Sequence, residues 1–116
     1  MFDIGGYCEC GNWRETPRRC FNCIGKRIAD NAVNHGFSRP NKRNMPEKLM
    51  LVVTEVSEAM EAWRKSDYKN FNEEIADTII RLLQICYCMK IDLEYEIEKK
   101  MVVNESRPFK HGNKKA

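Results

Sequence analysis

No stretch of this 116-residue chain approaches the roughly 18 consecutive apolar residues that a membrane-spanning helix needs. The first residues also lack the apolar centre of a secretory signal, so neither membrane insertion nor export is expected. Charge of a single sign is missing too. Twenty Lys and Arg stand against 17 Asp and Glu, and the net charge of +3 is too small to mark a nucleic-acid binder. Proline and glycine are scarce, at four and six, and in the body of the chain they fall at joints between periodic segments. Period-two alternation, the strand signal, is rare there as well. These absences point to one all-α domain without repeats.

Cysteine is abundant by contrast, with six in the chain and four within the first 23 residues. Without an export signal the expected setting is the reducing cytoplasm, where clustered thiols serve metals rather than disulfides. Cys8-x-Cys10 followed by Cys20-x-x-Cys23 supplies four thiolates, the ligand count of a closed structural zinc site, and Gly11 and Gly25 suit its tight turns. The alternative is free thiols in an extension. Cys86 and Cys88 sit in an apolar run and read as small buried side chains. Residues 1–25 are therefore read as a Cys-rich N-terminal extension, with a zinc knuckle as one option, and 26–116 as the main domain with a basic C-terminal tail.

Four helices are expected in that domain. The first runs from Ile24 to His35 and stops at Gly36; a loop with Pro40 follows, and Pro46 lies in the first turn of the second, which ends at Lys65. A third spans Asn70, as N-cap, to Lys90, and a fourth spans Leu93 to Val103 with Leu93, Ile97 and Met101 inward. On a wheel of the second helix, Leu49, Val52, Val53, Val56, Met60 and Trp63 form one stripe, read as core-facing. Glu55 and Glu58 fall outside it, in a sector shared with Leu51 and Ala62. The third helix has its own apolar sector through Ile75, Ile79, Leu83 and Cys86, with Glu74, Asp77, Arg81 and Gln84 on the other side. Helices of this length cannot bury all these apolar faces within one chain, so a homodimer or homotetramer is expected.

The pairs Glu55-x-x-Glu58 and Glu74-x-x-Asp77 each put two carboxylates one turn apart on a helix face. If the two helices pack antiparallel, the four converge into a site for a hard divalent cation such as Mg²⁺, which prefers oxygen ligands completed by waters and substrate phosphates. The plainer reading is a wet acidic face, with Asp77 and Arg81 as a surface ion pair at i,i+4.

The segment LVVTEVSEAMEAWRKSDYKNFNEEIADTIIRLL, residues 51–83, resembles the all-α nucleoside triphosphate pyrophosphohydrolases of the MazG-like superfamily, whose hallmark is E-x-x-E followed after a spacer by E-x-x-D. IADNAVNHGF, residues 28–37, is similar to that family's first helix, and NESRPFKHGNKK, residues 104–115, to its N-x-x-R-P-[YF]-x-H-G ending. The resemblance implies an oligomeric four-helix MazG-like bundle that cleaves an NTP or dNTP to the monophosphate and pyrophosphate. It also implies that Glu55, Glu58, Glu74 and Asp77 hold Mg²⁺ and that one glutamate activates water, Glu58 being the first choice. Arg81, Lys100, Arg107 and Lys110, with Asn104, are the candidates for the phosphates. Trp63 is a candidate to stack on the base, with Asn31, His35 and Phe37 approaching it in a neighbouring subunit, Trp63 being equally readable as a packed core ring. A different class remains open: a small zinc-bearing nucleic-acid or protein-binding module, built on Trp13, Arg14, Arg18, Arg19, Phe21, Lys26 and Arg27 around the cysteines, with the helices as a catalytically silent scaffold.

Overall fold

A computed structural model describes Gly6, Tyr7, Trp13, Arg14 and residues 20–109 of the chain. Its body is all-α: α1 (Phe21–Asn34), α2 (Met45–Arg64), α3 (Tyr68–Cys88) and α4 (Leu93–Glu105). Ahead of them two short strands, β1 (Gly6–Tyr7) and β2 (Trp13–Arg14), pair antiparallel.

Local chemistry explains where the helices end. After α1, Gly36 adopts φ +85°, its N–H reaches the Val33 carbonyl at 3.0 Å, and the Phe37 N–H reaches that of Ala32 at 3.0 Å. These two bonds close the helix by satisfying carbonyls that would otherwise be orphaned. The same pair of bonds ends α2 and α3, but the left-handed residues there are Ser66 (φ 57°) and Lys90 (φ 59°). An L-residue in that conformation costs about 1–2 kcal/mol.

Two expected boundaries shift. α1 begins at Phe21 rather than Ile24, because the Phe21 N–H finds an acceptor on another helix, Glu94 Oε1 at 3.0 Å. α3 is capped by Asp67 rather than Asn70: Asp67 Oδ1 accepts the Asn70 N–H at 3.2 Å, so Asn70 lies inside the first turn. Asp67 thereby also shortens the α2–α3 connection, its own N–H having closed α2 onto Ala62 at 2.9 Å.

The helices cross through small side chains. Gly25 and Ala29 of α1, Ala59 and Ala62 of α2, and Leu83 and Ile85 of α3 are buried. At Gly25 an added Cβ would lie 2.9 Å from the Leu83 carbonyl oxygen, so glycine sets how closely α1 approaches α3.

Most of the stripe expected to face the core instead faces out: Leu49, Val53, Val56, Met60 and Trp63 are 48–56% exposed, while Val52 is half-buried. Ile97 and Met101 of α4 are exposed rather than inward, as are Ile75 and Ile79 of α3. The physical reason is that Ala59 and Ala62 allow closer helix contact than the branched stripe, so α3 docks on the small, acidic sector of α2. Among the described residues, no helix is long and apolar enough to cross a membrane.

Candidate metal centre

The α2–α3 contact brings carboxylates together. Glu55 and Glu58 lie one turn apart on α2, Glu74 comes from α3, and oxygens of all three fall within 4.8 Å of one another. Glu55 is buried, Glu74 half-buried and Glu58 exposed. The burial order differs from the wheel, on which Glu55 and Glu58 together were the less solvated pair. Asp77, one turn after Glu74, is exposed and lies outside this trio.

Like charges this close need compensation, and Arg81 supplies part of it. Its Nε donates to Glu55 Oε1 at 2.9 Å, across the helix interface. That bond replaces the expected ion pair with Asp77 on the same helix. Burial pushes the Glu55 carboxyl up, but the hydrogen bond from Arg81, a proton shared with Glu74 and the Arg81 charge together bring it below the usual carboxylate range. Glu74 takes the opposite course and is pushed up to about 7, chiefly because it shares its proton with Glu55, with burial and Glu58 adding to the shift. One buried oxygen, Glu74 Oε2, has no hydrogen-bond partner. An acidic trio that retains a proton to neutrality and orphans a buried oxygen fits a hard divalent cation, which would satisfy that oxygen and replace the proton.

Two clefts flank the trio. Glu55 opens onto one of about 520 Å³, shared with Asp77, Arg81 and Gln84 of α3 and with Asn31, His35 and Phe37 from α1 and its exit. Glu58 and Glu74 open onto another of about 260 Å³, with Glu61, Lys65, Asp67 and Asn70. The first cleft therefore joins three expected base-binding residues to the acidic centre within one chain. Its polar wall is varied: the His35 ring sits with Nδ1 2.8 Å from the Asn31 carbonyl, and Asn31 and Gln84 offer amides.

Other expected residues lie elsewhere. Trp63 is not on this cleft; its ring packs edge-on to Tyr68 and tilted against Phe71, each at a centroid distance of 5.1 Å, beside the α2–α3 turn. Lys100 and Asn104 are exposed on α4, and Arg107 follows its end; none lines either cleft. Lys110, Cys8 and Cys10 lie outside the described residues. Gln84 had no assigned role, although Asp77, Arg81 and Gln84 at i, i+4 and i+7 lie on one helix face.

No protein-family profile, curated protein or solved structure matches this chain.

Proposed function

We propose that the chain is a MazG-like nucleoside triphosphate pyrophosphohydrolase, cleaving an NTP or dNTP between the α and β phosphates with Mg²⁺ held by Glu55, Glu58, Glu74 and Asp77. The observation that carries this reading is the convergence of Glu55, Glu58 and Glu74 around a buried, unpartnered carboxylate oxygen. The resemblance of residues 51–83, with both acidic pairs in register, supplies the reaction class. Bound there, Mg²⁺ supplies neutralisation of phosphate charge and a lower pKa for an attacking water.

The remaining work falls to side chains. Glu55 stays ionised beside Arg81. Glu74 sheds its proton near neutrality, so the trio reaches full charge only there. Glu58, the exposed member, faces the water that attacks the α phosphorus, and accepts its proton as the bond to pyrophosphate breaks. Arg81 engages Glu55 through Nε, and its guanidinium carries further N–H donors suited to a phosphate. Asn31, His35, Phe37 and Gln84 border the space available to the nucleoside. The fold is completed in a homodimer or homotetramer, in which the exposed stripes of α2, α3 and α4 pack between copies.

The decisive experiment incubates the protein with a panel of NTPs and dNTPs and Mg²⁺ and identifies the products. Monophosphate with pyrophosphate is expected. A diphosphate with orthophosphate, or no turnover of any nucleotide, overturns the proposal.

A further inference from the structure

A cleft of about 370 Å³ lies at the start of α1, the far end of that helix from Asn31 and His35. Its other walls are the last turn of α3, the first turn of α4 and Arg39 from the α1–α2 loop. None of its residues belongs to the acidic centre. The volume is at the small end of the range for small-molecule sites, roughly 300–1,000 Å³. That is room for one ring system and one charged group.

The charged groups of the cleft do not pair with one another. Its two carboxylates each close a helix: Asp92 Oδ1 accepts the Tyr95 N–H at 3.2 Å at the start of α4, and Glu94 Oε1 accepts the Phe21 N–H at 3.0 Å at the start of α1. They answer the positive ends of two helices. Its two cations, Arg39 and Lys90, form no ion pair among the described residues. The Arg39 guanidinium instead meets the Cys88 sulfur in a hydrogen bond. Phe21 and Tyr87 bring rings to the same cleft, and Leu83 and Leu93 bring aliphatic carbon. Two cations without an anion, beside apolar and aromatic carbon, describe the complement of the missing ligand.

We propose that this cleft is a second ligand site and takes a nucleoside monophosphate, its phosphate between Arg39 and Lys90 and its base against Phe21 and Tyr87. A guanidinium offers a planar fork to phosphate oxygens and an ammonium a point charge, so the pair suits a compact dianion. A flat base gains offset or edge-on contact with the two rings. A triphosphate or a polymer exceeds both the space and the charge on offer. The inference does not rest on the proposed hydrolysis, although its ligand is of the same class as that reaction's product.

The test uses the full chain, reduced and in EDTA, so that no metal draws phosphate to the acidic centre. Calorimetric titration with AMP and with CMP is expected to show one site for at least one of them, about 10-fold or more tighter than for inorganic phosphate or the matching nucleoside. Arg39→Ala and Lys90→Asn should each weaken it about 10- to 100-fold, asparagine being chosen because it tolerates the left-handed backbone at Lys90. His35→Ala, in the other cleft, should leave it unchanged. The nucleotide should also slow alkylation of Cys88 relative to Cys23, which follows the N-cap Cys20 in the first turn of α1 and does not line the cleft. Peptide mass spectrometry reads both thiols. Failure of either nucleotide to bind overturns the site, as does a nucleoside or phosphate alone that binds as tightly, or an affinity that survives both cation substitutions. Loss of binding in His35→Ala places the ligand in the acidic cleft and overturns it too. Cys88 protection is measured on the unsubstituted chain, so its absence decides even where a variant does not fold. Hydrolysis is read separately, with Mg²⁺ and by its products, so the two readings fail independently.

Discussion

On α2, Glu55 is 8% exposed against α3, while Val53 and Val56, its near neighbours in sequence, are 56% and 52% exposed. One face of the helix buries the Glu55 carboxylate; the other leaves apolar side chains in water. Burying charge is costly and exposing branched carbon forfeits burial, so neither face is explained by the stability of a single chain. The acidic face makes sense as a site whose charge is held by Arg81, a retained proton or a cation. The apolar face makes sense as a surface that another copy covers. Under the proposed function, α2 would serve chemistry on one side and assembly on the other, with small residues, Ala59 and Ala62, buried between.

Removing the chemistry should have the largest effect. Glu58→Gln is expected to keep the fold, because Glu58 is exposed, and to lower the hydrolysis rate by about 10²–10⁴-fold if it is the general base. A folded variant with full turnover would free that residue of the role. On the opposite face, Val56→Asp should weaken self-association more than about 30-fold, the effect of roughly 2 kcal/mol at a buried interface position. Light scattering across a dilution series measures it, and a wild-type chain that is monomeric at every concentration would break the comparison.

The α1–α3 contact can be tested directly. Gly25→Ala gains helix propensity but forces a Cβ against the Leu83 carbonyl, for a net loss of about 1 kcal/mol in urea unfolding.

The acidic face has a pH signature in metal-free protein. Glu74 binds its proton more tightly folded than unfolded, so its contribution is complete below the ordinary value of 4.5 and is lost as pH rises through about 7. Glu55 contributes with the opposite sign and is lost on acidification below its ordinary range. The thermal midpoint should therefore fall between about pH 5 and pH 8, and Glu74→Gln should flatten that slope. Saturating Mg²⁺ should flatten it too, since the ion takes the place of the proton. The smallest effect expected is a gain of up to about 1 kcal/mol from Ser66→Gly, which relieves the left-handed residue ending α2.

Helix number and most helix limits could be read from local signals: Gly36, Pro46 and the three-and-four periodicity act within a turn or two of themselves. Asp67 was as visible as Asn70, and the earlier of two competing caps won because it also closes the preceding turn. The start of α1 was not readable, because its acceptor, Glu94, lies 73 residues away. Among candidate ligands, the spacing of Glu55, Glu58 and Glu74 was enough to mark them. The partner of Arg81 was not, since i,i+4 favoured Asp77 and only helix packing offered Glu55.

Periodicity assigns each residue to a face, because a helix repeats every 3.6 residues whatever surrounds it. It does not say which face another helix will choose. On α2 that choice followed from closeness of approach: Ala59 and Ala62 admit α3, and the carboxylates beside them are drawn into the contact while the larger stripe is left outside. The acidic residues and their spacing were written in the chain. The burial of Glu55, the Arg81 bridge and the cleft shared with Asn31 and His35 came from packing between distant segments, where shape rather than local pattern decides.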